Sequence, residues 1–162
     1  MLETVSLINF IDLTQKEKEM VLSWRNHSEI KKWMHTSHDI SLESHLNFID
    51  TLKNSQQKLY LLVKQGSEPI GIIDFTDITD TSAEIGIYKN PYAKKKGHLL
   101  LHTLITYAFE TLDLDKIHAE VYKTNTRALN LYEKYNFKKT KTKKIDNKEV
   151  LCLELKNENR YF

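Results

Sequence analysis

The chain has one cysteine, Cys152, two prolines and only four glycines in 162 residues. A single cysteine excludes an intrachain disulfide framework and any zinc site built from several cysteines. The glycines stand at 66, 71, 86 and 97. With them neither a G-x-G-x-x-G fingerprint nor a P-loop can be written, so those two routes to nucleotide binding are excluded. No apolar run approaches the ~20 residues that span a bilayer. The N-terminal stretch MLETVSLINFIDL lacks a basic first segment and a small-residue cleavage site, so a cytoplasmic location without membrane attachment is expected. A large charge excess is missing too: 24 Lys and Arg against 22 Asp and Glu leave +2, which argues against a general nucleic-acid coat.

What is present is ordinary in amount and uneven in placement. Hydrophobic residues make up 40% and charged residues 28%, as in an average soluble domain. The length suits one domain, 1–162, and no linker or repeat divides it. Lys94, Lys95 and Lys96 are contiguous. Lys138, Lys139, Lys141, Lys143 and Lys144 form a second cluster, expected on a solvated hairpin face.

Thr4–Leu13 reads as a strand. Thr14 opens a helix with Glu17 three residues on, a capping box, and this helix should run to about Trp24. A short helix is expected over Ser28–His35. Ser41 caps a third, with Leu42, His45, Leu46, Ile49 and Leu52 at helical spacing. The middle reads as strands over Leu59–Lys64, Pro69–Phe75 and Ala83–Tyr88, then a long helix over Gly97–Leu112. A strand over Lys116–Tyr122, a helix over Asn125–Tyr135 and a hairpin turned by Asp146-Asn147 complete the order. Mixed strands with interleaved helices imply an α/β or α+β fold.

Two constellations carry chemistry. The first is the strand AEIGIYKNP, followed by Lys94-Lys95-Lys96-Gly97 and the long helix. A helix start presents uncapped N–H groups and a positive dipole end, glycine lets an anion come close, and lysines add charge. That combination suits a pyrophosphate. The second is Asn125, Ala128, Leu129 and Tyr132, which follow i, i+3, i+4, i+7 and share one helix face. That face offers a capping Asn, a small residue with room above it, and a phenol. Taken singly, each has a plain reading as a basic turn or as a cap with a core tyrosine. His98 and His102 are four apart on a helix but lack a third ligand, so no metal is expected.

In order and spacing, EIGIYKNP, KKKGHLLL, IHAEVYK and NTRALNLYEKYNF resemble the acetyl-CoA-binding core of the GCN5-related N-acetyltransferases (GNAT family). The resemblance covers roughly residues 59–155, with 1–58 as the helical, acceptor-side part. The family's usual phosphate loop, Arg/Gln-x-x-Gly-x-Gly/Ala, reads Lys94-Lys95-Lys96-Gly97-His98-Leu99 here, with Leu in the last small position. Asn136 stands where the family usually has glycine after the Tyr132 helix, and Asn is the second choice for a left-handed helix stop. In the N-terminal part, Trp24-Arg25-Asn26-His27, Trp33-Met34 and the stretch from Ile40-Ser41-Leu42 to His45 and Phe48 are similar to members of pseudaminic acid biosynthesis, a pathway that feeds flagellin glycosylation.

The resemblance implies a mixed, mostly antiparallel sheet with helices on both faces. It also implies direct acetyl transfer, in a ternary complex, from acetyl-CoA to the C4 amine of a UDP-linked 4-amino-4,6-dideoxy sugar. Backbone around Ile87, Tyr88 and Lys89 would hold pantetheine and polarise the carbonyl. Lys94, Lys95, Lys96, Gly97, His98, Leu99 and Leu100 would take the pyrophosphate, and Asn125, Ala128 and Leu131 would flank the cofactor. Tyr132 would be the general acid to the leaving thiolate, with Glu84 and Glu120 as candidate bases. Arg25 and His45 would meet the sugar diphosphate, Met34 and Phe48 would wall in the sugar's 6-methyl, and Tyr88 would also contact the substrate. No nucleic acid, membrane or metal is implied. A homodimer is compatible with strand edges near Tyr88 and in the terminal hairpin. Two other readings stand beside this one: a protein N-terminal or lysine acetyltransferase on the same fold, and a non-catalytic RNA- or protein-binding module.

Overall fold

The computed structural model describes residues 4–36 and 38–160. Its strands are β1 (Val5–Asn9), β2 (Leu59–Gln65), β3 (Glu68–Thr76), β4 (Ser82–Lys89), β5 (Lys116–Tyr122), β6 (Lys138–Ile145) and β7 (Lys148–Lys156), joined in one sheet in the order β1-β2-β3-β4-β5-β7-β6. Neighbours are antiparallel except β4 and β5, which run parallel. The N-terminal part supplies β1 to this same sheet, so it shares one hydrogen-bonded frame with the rest of the chain.

The helices are α1 (Gln15–Asn26), α2 (Ser28–Lys31), α3 (Leu42–Leu52), α4 (Gly97–Thr106) and α5 (Thr126–Lys134). The Thr14 capping box forms in full: Thr14 Oγ1 accepts the Glu17 N–H and Glu17 accepts the Thr14 N–H. Ser41 caps α3 through the Ser44 N–H. Three boundaries differ from the sequence expectation by more than two residues. β1 stops at Asn9 because the Asn9 side chain accepts the Ile11 N–H and turns Phe10–Asp12 into a 3₁₀ segment. α2 ends at Lys31 rather than near His35. The long helix is α-helical only to Thr106, and Tyr107–Thr111 continue it as a π-turn.

The sheet separates two cores, and strand alternation sorts side chains between them. Ile73 and Phe75 of β3 pack with Leu100, Leu101, Leu104 and Ile105 of α4 on one face. Ile72 of the same strand packs with Val21 and Trp24 of α1 and Ile49 and Leu52 of α3 on the other. Complete burial of such side chains stabilises by about 1.5–3 kcal/mol each, so both helix layers pin the sheet. β6 forms one edge of the sheet, and its exposed lysines guard that edge against pairing with another strand. Like charges on two copies of β6 oppose a dimer made through it. No helix among the described residues is long and apolar enough to cross a membrane.

Candidate active site

β4 and β5 pair only at Ser82–Lys116, Ala83–Ile117 and Glu84–His118. Both strands then continue, β4 to Lys89 and β5 to Tyr122, held only by their outer neighbours β3 and β7. A gap opens between them, and Ile87, Tyr88 and Lys89 border it. No strand pairs with that side of β4 beyond Glu84, so the main chain there offers N–H and C=O groups to a ligand.

At the end of β4 the chain turns into α4. Lys95 has φ 59°, in the left-handed region that is unusual for a side chain of this size. Lys96 follows with φ −103° and ψ −1°, right-handed, and supplies no side-chain cap. This alternation turns successive N–H groups into a concavity suited to an anion. Lys96 Nζ is drawn aside to Gln65 Oε1 at 2.7 Å, whereas Lys94 and Lys95 are exposed and have no ion-pair partner among the described residues. The amides of Gly97, His98 and Leu99 are left open by the missing cap. Leu100 does not belong with them. Its N–H donates to Lys96 O at 3.0 Å, closing the first helical turn, and its side chain is fully buried.

α5 stands across this turn. Asn125 caps it, with Oδ1 accepting the Ala128 N–H at 3.3 Å. Leu131 packs beside Gly97, where a Cβ would come within 3.4 Å of its Cδ2. The Tyr135 hydroxyl donates to His98 O at 3.2 Å, tying α5 to the first turn of α4. The end of α5 fixes Tyr132. Asn136 adopts φ 72°, its N–H donates to Glu133 O, and the Phe137 N–H donates to Tyr132 O. This is a Schellman stop, completed by the edge-on contact of the Tyr132 and Phe137 rings at 4.9 Å. Tyr132 is 8% exposed. Burial, with the charge of Asp74 added, pushes its phenol up, so it stays protonated at neutral pH.

The candidate bases differ in their surroundings. Glu120 is held by Lys143 of β6 and by His35, whose Nε2 lies 3.4 Å away. His35 Nδ1 also meets the Tyr122 hydroxyl at 3.1 Å. Glu84 is half-buried, and burial followed by the charge of Glu120 raises its pKa. Lys143 and His35 were not legible as partners of Glu120. Lys143 sits in a basic cluster with no pattern of its own, and His35 is 85 residues away in sequence.

Among the residues expected to meet the acceptor, Arg25 Nη2 donates to Thr36 O at 2.9 Å, while Nη1 is buried without a hydrogen-bond partner. Desolvation lowers the guanidinium pKa, and the neighbouring Tyr88 and Tyr60 oppose that. Phe48 stands edge-on to Tyr60 at 5.0 Å and packs with Tyr88 against the α1–α3 core. Met34 lies apart from this group, beside Tyr122, whose hydroxyl is 3.5 Å from Met34 O. His45 corrects an expectation. It is 6% exposed, and its Nε2–H donates to Lys18 O at 2.9 Å, joining α3 to α1. Burial lowers its pKa, and the neutral ring keeps only an acceptor, Nδ1, which has no proton for a phosphate.

One residue, Asp74, had no role among the sequence expectations. Asp74 lies in β3 inside the apolar run Ile70–Phe75, and burial pushes its carboxyl up to about 7. A carboxylate in the middle of a central strand was itself the signal. Beyond His35 and Tyr122 a cavity of about 410 Å³ opens, with Lys32, Lys123 and Lys148 among its lining residues.

Residues 8–138 match the family described as Acetyltransferase (GNAT) domain. Acetyltransferase PseH of Campylobacter jejuni is 41% identical over 133 residues, 82% of this chain and 84% of that protein. The crystal structure of the Campylobacter jejuni N-acetyltransferase PseH in complex with acetyl coenzyme A superposes with a TM-score of 0.80 at 34% identity, covering 95% of this chain and 99% of that one. A spermidine N-acetyltransferase from Vibrio cholerae, solved with CoA and spermine, has a TM-score of 0.86 at 18% identity, covering 96% and 97%. That last likeness is one of fold.

Proposed function

The chain belongs to the GNAT acetyltransferases, and we propose that it acetylates the C4 amine of a UDP-linked 4-amino-4,6-dideoxy sugar in pseudaminic acid biosynthesis, acting in the cytoplasm. The observation that carries the reading is the likeness to PseH along most of both chains. Acetyl-CoA is the cosubstrate and supplies the activated acetyl group.

The gap and the open turn fit that cosubstrate. The unpaired side of β4 from Ile87 to Lys89 takes the pantetheine amides and lends an N–H to the acyl oxygen. The amides of Lys95 to Leu99, with the Lys94 and Lys95 ammonium groups nearby, take the pyrophosphate. Asn125, Ala128 and Leu131 give the low wall beside it. Tyr132 keeps its proton and presents the hydroxyl to the sulfur as the thiolate forms. Arg25 Nη1 awaits an oxygen of the sugar diphosphate, because a buried guanidinium N–H without a partner gains most from an anion. Phe48 and Tyr88 provide apolar contact for the 6-methyl, while Met34, beside Tyr122, stands apart from that contact.

The likeness to PseH along most of both chains sets the protein-acetyltransferase reading second. The test is thiol release from acetyl-CoA with the UDP-amino-sugar, with a peptide amine and with buffer. Release with the sugar at rates well above the other two is expected. Release with the peptide alone would replace this reading.

A further inference from the structure

Asp74 sits opposite Tyr60 of β2 on one side and Gly86 of β4 on the other. Its neighbours Ile72, Ile73 and Phe75 are fully buried, so the strand cannot shift to relieve it. The carboxyl finds room over the bare Cα of Gly86. A Cβ there would stand 2.5 Å from Asp74 Oδ2 and 2.7 Å from Oδ1. Gly86 is two residues past Glu84, the last residue of β4 that pairs with β5. The carboxyl therefore lies where the gap begins.

The Asp74 side chain makes no hydrogen bond or ion pair among the described residues. The groups around it are phenols: Tyr60 from β2, Tyr88 from β4 and Tyr132 from α5 all feel its charge, and Arg25 of α1 faces the first two. The other two carboxylates of the cleft are differently placed. Glu120 is engaged by Lys143 and His35, and Glu84 lies beside Glu120 with His118 opposite. Asp74 and Glu84 both lack an ion pair among the described residues, and of the two Asp74 is the one set over the bare Cα of Gly86, where the gap begins.

We propose that Asp74 receives the proton of the acceptor amine. The assignment rests on the reading of an amine acetyltransferase given above and adds the residue that prepares the nucleophile. The amine arrives as an ammonium and is drawn to the carboxylate. One proton passes from nitrogen to Asp74 and then to water. The neutral amine attacks the thioester, the C–N bond forms and the C–S bond breaks. The second nitrogen proton is balanced by the proton that the thiolate gains. Ammonium and acetyl-CoA thus give amide, CoA thiol and one released proton. Burial places Asp74 near 7, matched to a base working at neutral pH.

The test measures kcat/KM against pH for the purified full chain, by thiol release with the UDP-amino-sugar, together with acetyl-CoA affinity by calorimetry. Asp74→Asn should lower kcat/KM on the order of 10²-fold or more and abolish the acidic limb, with acetyl-CoA affinity unchanged. Gly86→Ala, whose methyl displaces the carboxyl, should slow the wild-type background and change little in the Asp74→Asn background. A wild-type rate and limb in Asp74→Asn overturns the proposal. So does loss of the limb in Glu84→Gln or Glu120→Gln instead, or a matching loss of acetyl-CoA affinity in Asp74→Asn. If the wild type acetylates some other amine and not the sugar, the substrate reading falls, and the same profile with that amine decides Asp74.

Discussion

The Lys143 ammonium reaches across β7 to the Glu120 carboxylate, two strands away. It gives one member of an otherwise uniform lysine strand a definite partner. The pair is partly exposed, so salt should screen it. Lys143→Met and Glu120→Gln should be non-additive in thermal midpoint at low ionic strength. They should become additive at about 1 M salt, where the screening length is ~3 Å. Thermal melts of the two single variants and the double variant check this.

Tyr132→Phe keeps the Schellman stop and the ring contact with Phe137, so the fold should hold. Turnover should fall by about 10²-fold or more, the range of a positioned proton donor. Acetyl-CoA affinity should change far less. Steady-state thiol release and calorimetry separate the two effects, and equal turnover would remove Tyr132 from the chemistry.

Arg25→Ala should raise the KM for the sugar nucleotide. A hydrogen bond to a charged group contributes about 1.5–3 kcal/mol, which corresponds to roughly 10- to 100-fold. Acetyl-CoA affinity should be untouched, since Arg25 stands with Tyr60 and Tyr88 on the α1 side of the sheet. A parallel loss of acetyl-CoA affinity would count against that placement.

The raised carboxyl of Asp74 makes stability depend on pH. Between its ordinary value of 3.8 and about 7 the folded chain holds a proton that the unfolded chain has released. Proton binding therefore favours the fold, and that contribution is lost as pH rises through about 7. Asp74→Asn carries no charge to bury. Its thermal midpoint relative to wild type should climb between pH 4 and pH 8.

Gly71 has a different use from Gly86. A Cβ at Gly71 would meet Leu100 Cδ1 at 2.6 Å and the Tyr88 carbonyl at 2.9 Å. The backbone contact cannot swing aside, so Gly71→Ala should destabilise by about 1–3 kcal/mol, as overpacking does. Urea denaturation measures it.

The local devices were legible in the sequence because they depend on neighbours along the chain. The Thr14 box, the Ser41 cap, the Asn125 cap and the Asn136 stop each need only a few residues, and each forms. The π-turn after Thr106 and the early end of β1 at Asn9 depend on how the chain settles against the sheet. The pieces expected on the cofactor side are contiguous in sequence, and the fold sets the end of β4, the lysine turn and α5 close together, while the Leu100 amide is consumed by the helix itself. The expected acceptor side was less legible. His45 belongs to a helix seam, and the setting of Asp74 requires β2, β4 and α5 to meet around β3. No local pattern carries that arrangement.

The sheet is two antiparallel blocks, β1 to β4 and β5 to β7, riveted by three residue pairs. In mechanical terms the groove and the weakest joint are one feature. Strain from heat, denaturant or force should concentrate at Ser82–Glu84 and Lys116–His118. A ligand whose amides bridge the open stretch acts as a splint, stiffening both blocks at once.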